Sequence, residues 1–180
     1  MPAISLNAAD CTLLVIDMQA RLLPAIHDGD AVVAATLKLA RAARLLDVPV
    51  VGTEHQAEKL GATVPELAVE LDAVFPKRHF SAAREDGFEA WLPPARRTVL
   101  VAGAEAHVCV LQTLLDLRNR GWQVAMVSDA CGSRRPADHH AASRRARAGG
   151  ADIVSSEMAI FEWLETCDHP RFRDVLRLVK

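Results

Sequence analysis

The sequence predicts a three-layer α/β/α domain with a mostly parallel central sheet. Short apolar runs, such as the one at 12–16, are rich in branched residues and are typical of strands that are buried on both faces. These runs alternate with segments of helical periodicity, and strands that alternate with helices form right-handed βαβ units. A chain of 180 residues is long enough to bury a large core without a metal ion or a disulfide. We therefore expect residues 1–180 to form one domain.

The individual elements follow from the apolar periodicity and from the residues that end each segment. The helix expected at 31–46 ends before Pro49, because proline disfavours the α region in the residue before it. Gly121 and Gly149 are typical caps for the helices that precede them. We predict strands at 12–16, 50–53, 98–102, 123–127 and 151–154; helices at 31–46, 109–120, 136–148 and 155–164; shorter helical pieces at 65–67 and 88–92; an extended stretch at 74–82; and a polar loop at 128–134.

The composition excludes several classes of protein. A formal net charge of −2 gives no basic footprint for nucleic acid, so we expect no nucleic-acid partner. The longest apolar runs are far shorter than a bilayer span, and the N-terminal residues lack the basic region of a secretory signal. We therefore expect a cytoplasmic protein with no membrane partner.

The four cysteines give no sign of a metal site. They stand at positions 11, 109, 131 and 167, without a Cys-x-x-Cys pair or a neighbouring histidine pair of ligand spacing. Neither a zinc ribbon nor a disulfide framework is indicated. We expect no metal ion and no cofactor.

Polar residues whose side chains can take part in catalysis lie at the ends of the predicted strands. Asp17 ends the first strand, Lys77 lies in the extended stretch that begins at position 74, and Cys109 stands between a strand and a helix. In parallel α/β sheets, ligands bind outside the carboxyl ends of the strands, which is where these residues are expected to meet. A helix N-terminus lowers the pKa of a nearby cysteine, so we expect an activated Cys109 thiolate.

The same residues resemble the Asp-Lys-Cys triad of the isochorismatase-like cysteine hydrolases, in particular the YcaC-like and isochorismatase-domain-containing subgroup. The resemblance extends from about residue 11 to residue 164, with its segments in the right order. They are Leu14-Val-Ile-Asp-Met-Gln19, Gly52-Thr-Glu54, Phe75-Pro-Lys77, Gly103-Ala-Glu-Ala-His-Val-Cys-Val-Leu-Gln-Thr113, Val127-Ser-Asp-Ala130 and Ser155-Ser-Glu-Met-Ala-Ile-Phe161.

The resemblance implies the same fold, a small-molecule substrate and catalytic roles for Asp17, Lys77 and Cys109. It also implies a cis peptide between Ala104 and Glu105, which would direct the backbone N–H groups of Glu105 and Cys109 at an oxyanion. Members of the family commonly assemble, so a homo-oligomer is expected.

The chemistry of these residue types suits the hydrolysis of an amide. Cys109 can attack the carbonyl carbon and form a thioester, while Asp17 takes the thiol proton, passes it to the leaving amine and then activates water. Lys77 is expected to keep Asp17 ionised and to favour the thiolate, because an opposite charge stabilises the charged form.

The neighbouring residues suggest a substrate pocket whose ligand the sequence does not identify. We place Gln19, His55, Phe80 and His107 in this pocket. A dyad of His107 with Cys109 is disfavoured, because residues two apart on a helix point in different directions. His55 is not part of the Asp-x-His pair with which nicotinamidases bind their metal.

Two other functions stay open at this point. One is vinyl-ether hydrolysis of a chorismate-type acid, in which a carboxylic acid donates the proton. The other is a non-catalytic, oligomeric or thiol-redox protein that retains the fold and uses Cys109 as a sensor.

Overall fold

The computed structural model describes residues 5–180 as a six-stranded sheet with helices on both faces. Residues 1–4, on which part of the expectation about the N-terminus rests, lie outside the described residues. The strands are β1 Cys11–Ile16, β2 Val50–His55, β3 Ala73–Lys77, β4 Thr98–Ala104, β5 Gln123–Gly132 and β6 Asp152–Val154. The helices are α1 Gly29–Leu45, α2 Ala57–Leu60, α3 Pro65–Ala68, α4 Phe88–Trp91, α5 Leu111–Asn119, α6 Pro136–Ala148, α7 Ser156–Leu164 and α8 Phe172–Val179.

The strands lie in the order β3-β2-β1-β4-β5-β6, and all five pairings are parallel. This order confirms the predicted fold class, and the sheet is wholly parallel where we expected a mostly parallel one. The chain starts in the middle of the sheet, extends to the β3 edge, and returns through β4 to the β6 edge. The carboxyl ends of β1 and β4 therefore lie side by side, at the position where the strand order reverses.

Side chains of β1 alternate between two hydrophobic cores. Leu13 and Val15 pack with residues of α1, α7 and α8, whereas Leu14 and Ile16 pack with residues of α4, α5 and α6. All six residues of the strand are buried, as expected for a strand with helices on both faces. Among the helices of residues 5–180, none is long and apolar enough to cross a bilayer.

Three predicted boundaries were wrong for reasons that lie in the tertiary structure. β2 continues to His55, because its end pairs with β3 where we expected a loop. The predicted polar loop after position 127 belongs to β5, which continues to pair with β4 beyond a register shift. The helix expected to begin at Cys109 begins at Leu111, after a π-helical turn over Ala106–Val110.

Candidate active site

Asp17 reaches the site because its backbone breaks the alternation of β1. The next side chain after Ile16 would by alternation face the α1 layer. The backbone of Asp17 is instead left-handed, with φ of 51°, a conformation that aspartate tolerates better than most residues. Its carboxylate thereby meets the Thr53 hydroxyl, which donates to Oδ1 over 2.7 Å on the α5 side of the sheet.

Lys77 completes a buried ion pair with this carboxylate. Its Nζ lies 2.7 Å from Asp17 Oδ2, and neither side chain is exposed to solvent. The ammonium also donates to the carbonyl oxygens of His79 (3.3 Å) and Phe80 (3.1 Å). The chain after β3 therefore wraps around the Lys77 ammonium, which holds the charge in one place.

Cys109 lies beside this ion pair. The residue is 7% exposed, and the charges of Asp17 and Lys77 both act on the pKa of its thiol, Asp17 raising it and Lys77 lowering it. The structure thus brings together the three residues that the sequence placed at separate strand ends. Thr53 is a fourth polar group of the cluster that the sequence reasoning missed, although it is the last residue of the strand predicted at 50–53 and so stands at a strand end, as Asp17 does.

The expectation of a resting thiolate was wrong. Burial raises the pKa of the Cys109 thiol to about 12, and the negative charge of Asp17 acts in the same direction, while Lys77 opposes both. Because a π-helical turn over Ala106–Val110 precedes α5, Cys109 lies inside this turn rather than at the first residue of a helix. The side chain that meets a ligand at neutral pH is therefore a protonated thiol next to a carboxylate.

The turn between β4 and α5 contains the cis peptide bond between Ala104 and Glu105, as the resemblance implied. The Glu105 carboxylate pairs with Arg134 over 2.7 Å, and the Glu105 carbonyl accepts from the backbone N–H groups of Val108 and Val110. This ion pair and these hydrogen bonds fix the position of Glu105, the residue before the π-helical turn that carries Cys109. An oxyanion hole formed by the N–H groups of Glu105 and Cys109 stays a prediction.

Gln19 has a different place from the one we expected. Its side-chain amide donates to the carbonyl oxygens of His55 (3.1 Å) and Gly61 (2.6 Å) and accepts from the His55 N–H (2.8 Å). These bonds use both ends of the fully buried amide, so Gln19 holds the end of β2 instead of lining a pocket.

The other three predicted pocket residues divide into two groups. His55 and Phe80 lie next to Lys77, with their rings stacked at a centroid distance of 5.5 Å. His107 is oriented by a 3.0 Å hydrogen bond between its Nδ1 and the hydroxyl of Ser133, which follows β5. Contact of His107 with a substrate stays a prediction. Within residues 5–180, no three His, Cys, Asp or Glu side chains converge as a metal site would require.

Comparisons with known proteins show similarity in sequence to one family. The family model described as "Isochorismatase domain" matches residues 11–158. Isochorismatase domain-containing protein 2 of Bos taurus is 38% identical over 168 residues, which cover 93% of this chain and 82% of that protein.

Two solved structures are similar over nearly the whole length. The MAR1 ribonuclease from Caenorhabditis elegans is 35% identical with a TM-score of 0.92, covering 98% of this chain and 92% of that one. YcaC from Pseudomonas aeruginosa, determined with hexane-2,5-diol and covalent acrylamide, is 25% identical with a TM-score of 0.91, covering 99% and 93% of the two chains. On these matches, the chain belongs to the isochorismatase-like cysteine hydrolase family.

Proposed function

We propose that this protein hydrolyses a C–N bond of a small amide through a thioester on Cys109, with Asp17 as the proton carrier and Lys77 as its counter-ion. The observation that carries the proposal is the buried ion pair of Asp17 and Lys77, whose two charges both act on the Cys109 thiol. A carboxylate held in this way can accept a proton without leaving its position, as general base catalysis requires.

The raised pKa of the thiol determines how the first step proceeds. The Cys109 sulfur attacks the carbonyl carbon of the amide while its proton passes to Asp17, so no free thiolate is needed. The carbonyl oxygen becomes an oxyanion, to which the backbone N–H groups of Glu105 and Cys109 would donate. Asp17 then gives the proton to the amide nitrogen, the C–N bond breaks, and the amine or ammonia leaves.

Hydrolysis of the thioester returns the residues to their starting state. Asp17 takes a proton from a water molecule as the water oxygen attacks the thioester carbon. The C–S bond breaks, the carboxylic acid leaves, and the Cys109 sulfur recovers the proton. Lys77 keeps its charge throughout and is a counter-ion rather than a proton donor.

Detection of the thioester tests this proposal. The protein is mixed with a panel of small amides and quenched in acid, and intact mass is measured. We expect an acyl adduct on Cys109 that accumulates in the wild type and is absent in Cys109→Ala, and an Asp17→Asn variant that turns over at least a thousandfold more slowly, in line with a lost general base and charge partner. Turnover of an amide by Cys109→Ala would contradict the mechanism.

The same panel separates the alternatives. Hydrolysis of a chorismate-type vinyl ether that survives in Cys109→Ala would favour protonation by Asp17 over attack by sulfur. A peroxide-sensing role would be favoured if peroxide oxidised Cys109 reversibly while no amide of the panel was turned over.

Ribonuclease activity is a second candidate, since a 35% identical structure carries that name. Against it, cations near the site are already paired: Arg78 with Glu58 over 3.2 Å, and Arg134 with Glu105 over 2.7 Å. These carboxylates already offset part of the positive charge that a phosphodiester would need. Cleavage of a short single-stranded RNA that is lost in Cys109→Ala would nevertheless favour this candidate over the amide.

We also propose that the chain forms a homo-oligomer. Met158 and Phe161 are three residues apart on α7, so they lie on one face, and they are 50% and 38% exposed. Burial of this apolar face against another copy would be favourable. Light scattering should give a mass of at least two chains at micromolar concentration, and Phe161→Glu should lower it; a monomeric wild type would refute the proposal.

A further inference from the structure

His55 is a buried polar side chain on the α5 side of the sheet, where Thr53 meets Asp17. On β2 its side chain points to the same face as that of Thr53, which binds Asp17. In the register of the sheet, His55 lies opposite Lys77. It is 8% exposed, so its ring nitrogens have little contact with water. The imidazole therefore needs partners within the site.

One ring nitrogen has such a partner, and this partner determines where the proton is. The Gln56 side-chain amide donates to Nε2 of His55 over 3.2 Å. Burial, followed by the nearby Lys77 ammonium, lowers the pKa of His55, so the ring is neutral at pH 7. A neutral imidazole that accepts at Nε2 carries its hydrogen at Nδ1.

The Nδ1–H group is left without a hydrogen bond among the described residues. The His79 carbonyl is the smallest of the influences on the ring and raises its pKa, but no hydrogen bond from Nδ1 to this oxygen has acceptable distance and angles. A buried donor without an acceptor costs the desolvation of that group. An oxygen atom of a bound ligand would remove this cost.

Phe80 gives this position an apolar cover that can move. Its ring stacks on His55 at 5.5 Å with an interplanar angle of 30°, yet it is 53% exposed. Rotation of an exposed side chain takes picoseconds to nanoseconds, so Phe80 can uncover the imidazole edge when a ligand arrives. The ring can then pack against the carbon chain of that ligand.

We propose that His55 and Phe80 form the binding subsite for the acyl half of the substrate, with His55 Nδ1–H donating to a second oxygen acceptor on that acyl group. This inference rests on the proposed amide hydrolysis and narrows its substrate class. The preferred substrates are short amides whose acyl chain carries another carbonyl or carboxylate oxygen, such as monoamides or diamides of dicarboxylic acids, rather than simple aliphatic amides.

Two electrophiles of related structure test the subsite without knowledge of the natural substrate. Acrylamide is an alkene with one carboxamide, and fumaramide is the same alkene with a second carboxamide. The rate of Cys109 alkylation by each is followed by intact mass and divided by the rate of the same electrophile with glutathione. In the wild type we expect the corrected rate to be about tenfold higher for fumaramide, the effect of one additional hydrogen bond.

The variants identify the donor. His55→Phe keeps a planar ring without the N–H, and the preference should fall to about one. His55→Asn can place an amide N–H near the position of Nδ1 and should restore most of the preference. His140→Phe, at an exposed position of α6, is the matched control and should keep the wild-type value. Phe80→Ala should also lower the preference. Because Phe80 is half-exposed, this test is independent of whether a variant of the buried His55 folds.

The outcomes distinguish this inference from the proposed function. If Cys109 is alkylated but the preference is the same in wild type, His55→Phe and Phe80→Ala, the subsite is refuted while the nucleophile stands. If neither electrophile reacts at Cys109 while the exposed Cys167 is alkylated, the proposed nucleophile fails, and the subsite fails with it.

Discussion

Replacement of Lys77 by methionine should destabilise the protein much more than the loss of a surface ion pair does. Methionine has a similar length but no charge, so the variant leaves the Asp17 carboxylate buried without its partner. At the 2.7 Å separation of Lys77 Nζ and Asp17 Oδ2, the gross attraction is about 6 kcal/mol for an effective dielectric constant of about 20. Part of this attraction offsets the desolvation of both groups in the wild type.

The expected net loss follows from measurements on comparable pairs. Removal of one partner from a buried ion pair typically costs about 3–5 kcal/mol, because the other charge is left uncompensated. Lys77→Met also removes the donor to the carbonyl oxygens of His79 and Phe80, which places the loss at the upper end of this range. For a domain of this size, the melting temperature should fall by about 10 to 20 °C.

Urea unfolding followed by circular dichroism measures the effect. Arg78→Met is the matched control, because Arg78 and Glu58 form an ion pair on the same side of the site with side chains 77% and 56% exposed. Exposed pairs contribute about 0–1 kcal/mol, so this variant should be nearly as stable as the wild type. The double variant Asp17→Asn/Lys77→Met, which has no buried charge at the pair, should be more stable than Lys77→Met alone. Equal losses in Lys77→Met and Arg78→Met, or a double variant that is less stable than Lys77→Met, would refute the reasoning.

Two further predictions follow from the buried thiols and from the end of β4. Burial raises the pKa of Cys11 to about 11 and that of Cys109 to about 12, and it raises the pKa of Cys131 as well. Above pH 9 the unfolded chain therefore releases protons that the folded chain keeps, so the free energy of unfolding should fall by up to about 1.4 kcal/mol per pH unit and thiol. Urea titrations at pH 8, 9 and 10 should show a steeper fall between pH 9 and 10 than between pH 8 and 9, because the unfolded thiols are only partly ionised below pH 9. Cys131→Ala should reduce this fall, and an unchanged fall would contradict the prediction. Gly103→Ala should cost at least 3 kcal/mol in the same assay, because φ is +127° and a Cβ would lie 2.0 Å from a backbone oxygen of β1. Gly121→Ala, with φ of +92° and open space around its Cβ, should cost about 1–2 kcal/mol, and equal costs at the two positions would show that the contact at Gly103 is unimportant.

Segments that depend on local pattern alone could be predicted from the sequence. Continuous apolar runs identified five of the six strands, because strands buried on both faces need an apolar side chain at nearly every position. The alternation of these runs with helical segments also placed Asp17, Lys77 and Cys109 at strand ends. Parallel βαβ connections bring such ends to one edge of the sheet, whatever the detailed packing.

Segments whose polar groups find partners far along the chain could not be predicted in this way. The polar residues after position 127 continue β5, since Asp129 accepts from the N–H and hydroxyl groups of Ser156 over 2.7 and 2.6 Å. Helix α8 was not predicted. Its buried residue is Val175, which packs in the same hydrophobic core as residues of α1, far away along the chain. The strand character of His55 likewise depends on pairing with β3.

The sequence by itself determined the fold class and the three residue types of the candidate site, because hydrophobic periodicity and chain topology are properties of the linear pattern. Only the tertiary structure decided the protonation state of Cys109 and the direction of each polar side chain. The pKa of the thiol depends on how much water surrounds it and on the distance to Asp17, and neither quantity is encoded in the residues next to it along the chain. For the same reason, the unpaired Nδ1–H of His55 depends on where the fold places Gln56, Lys77 and Phe80 around the ring.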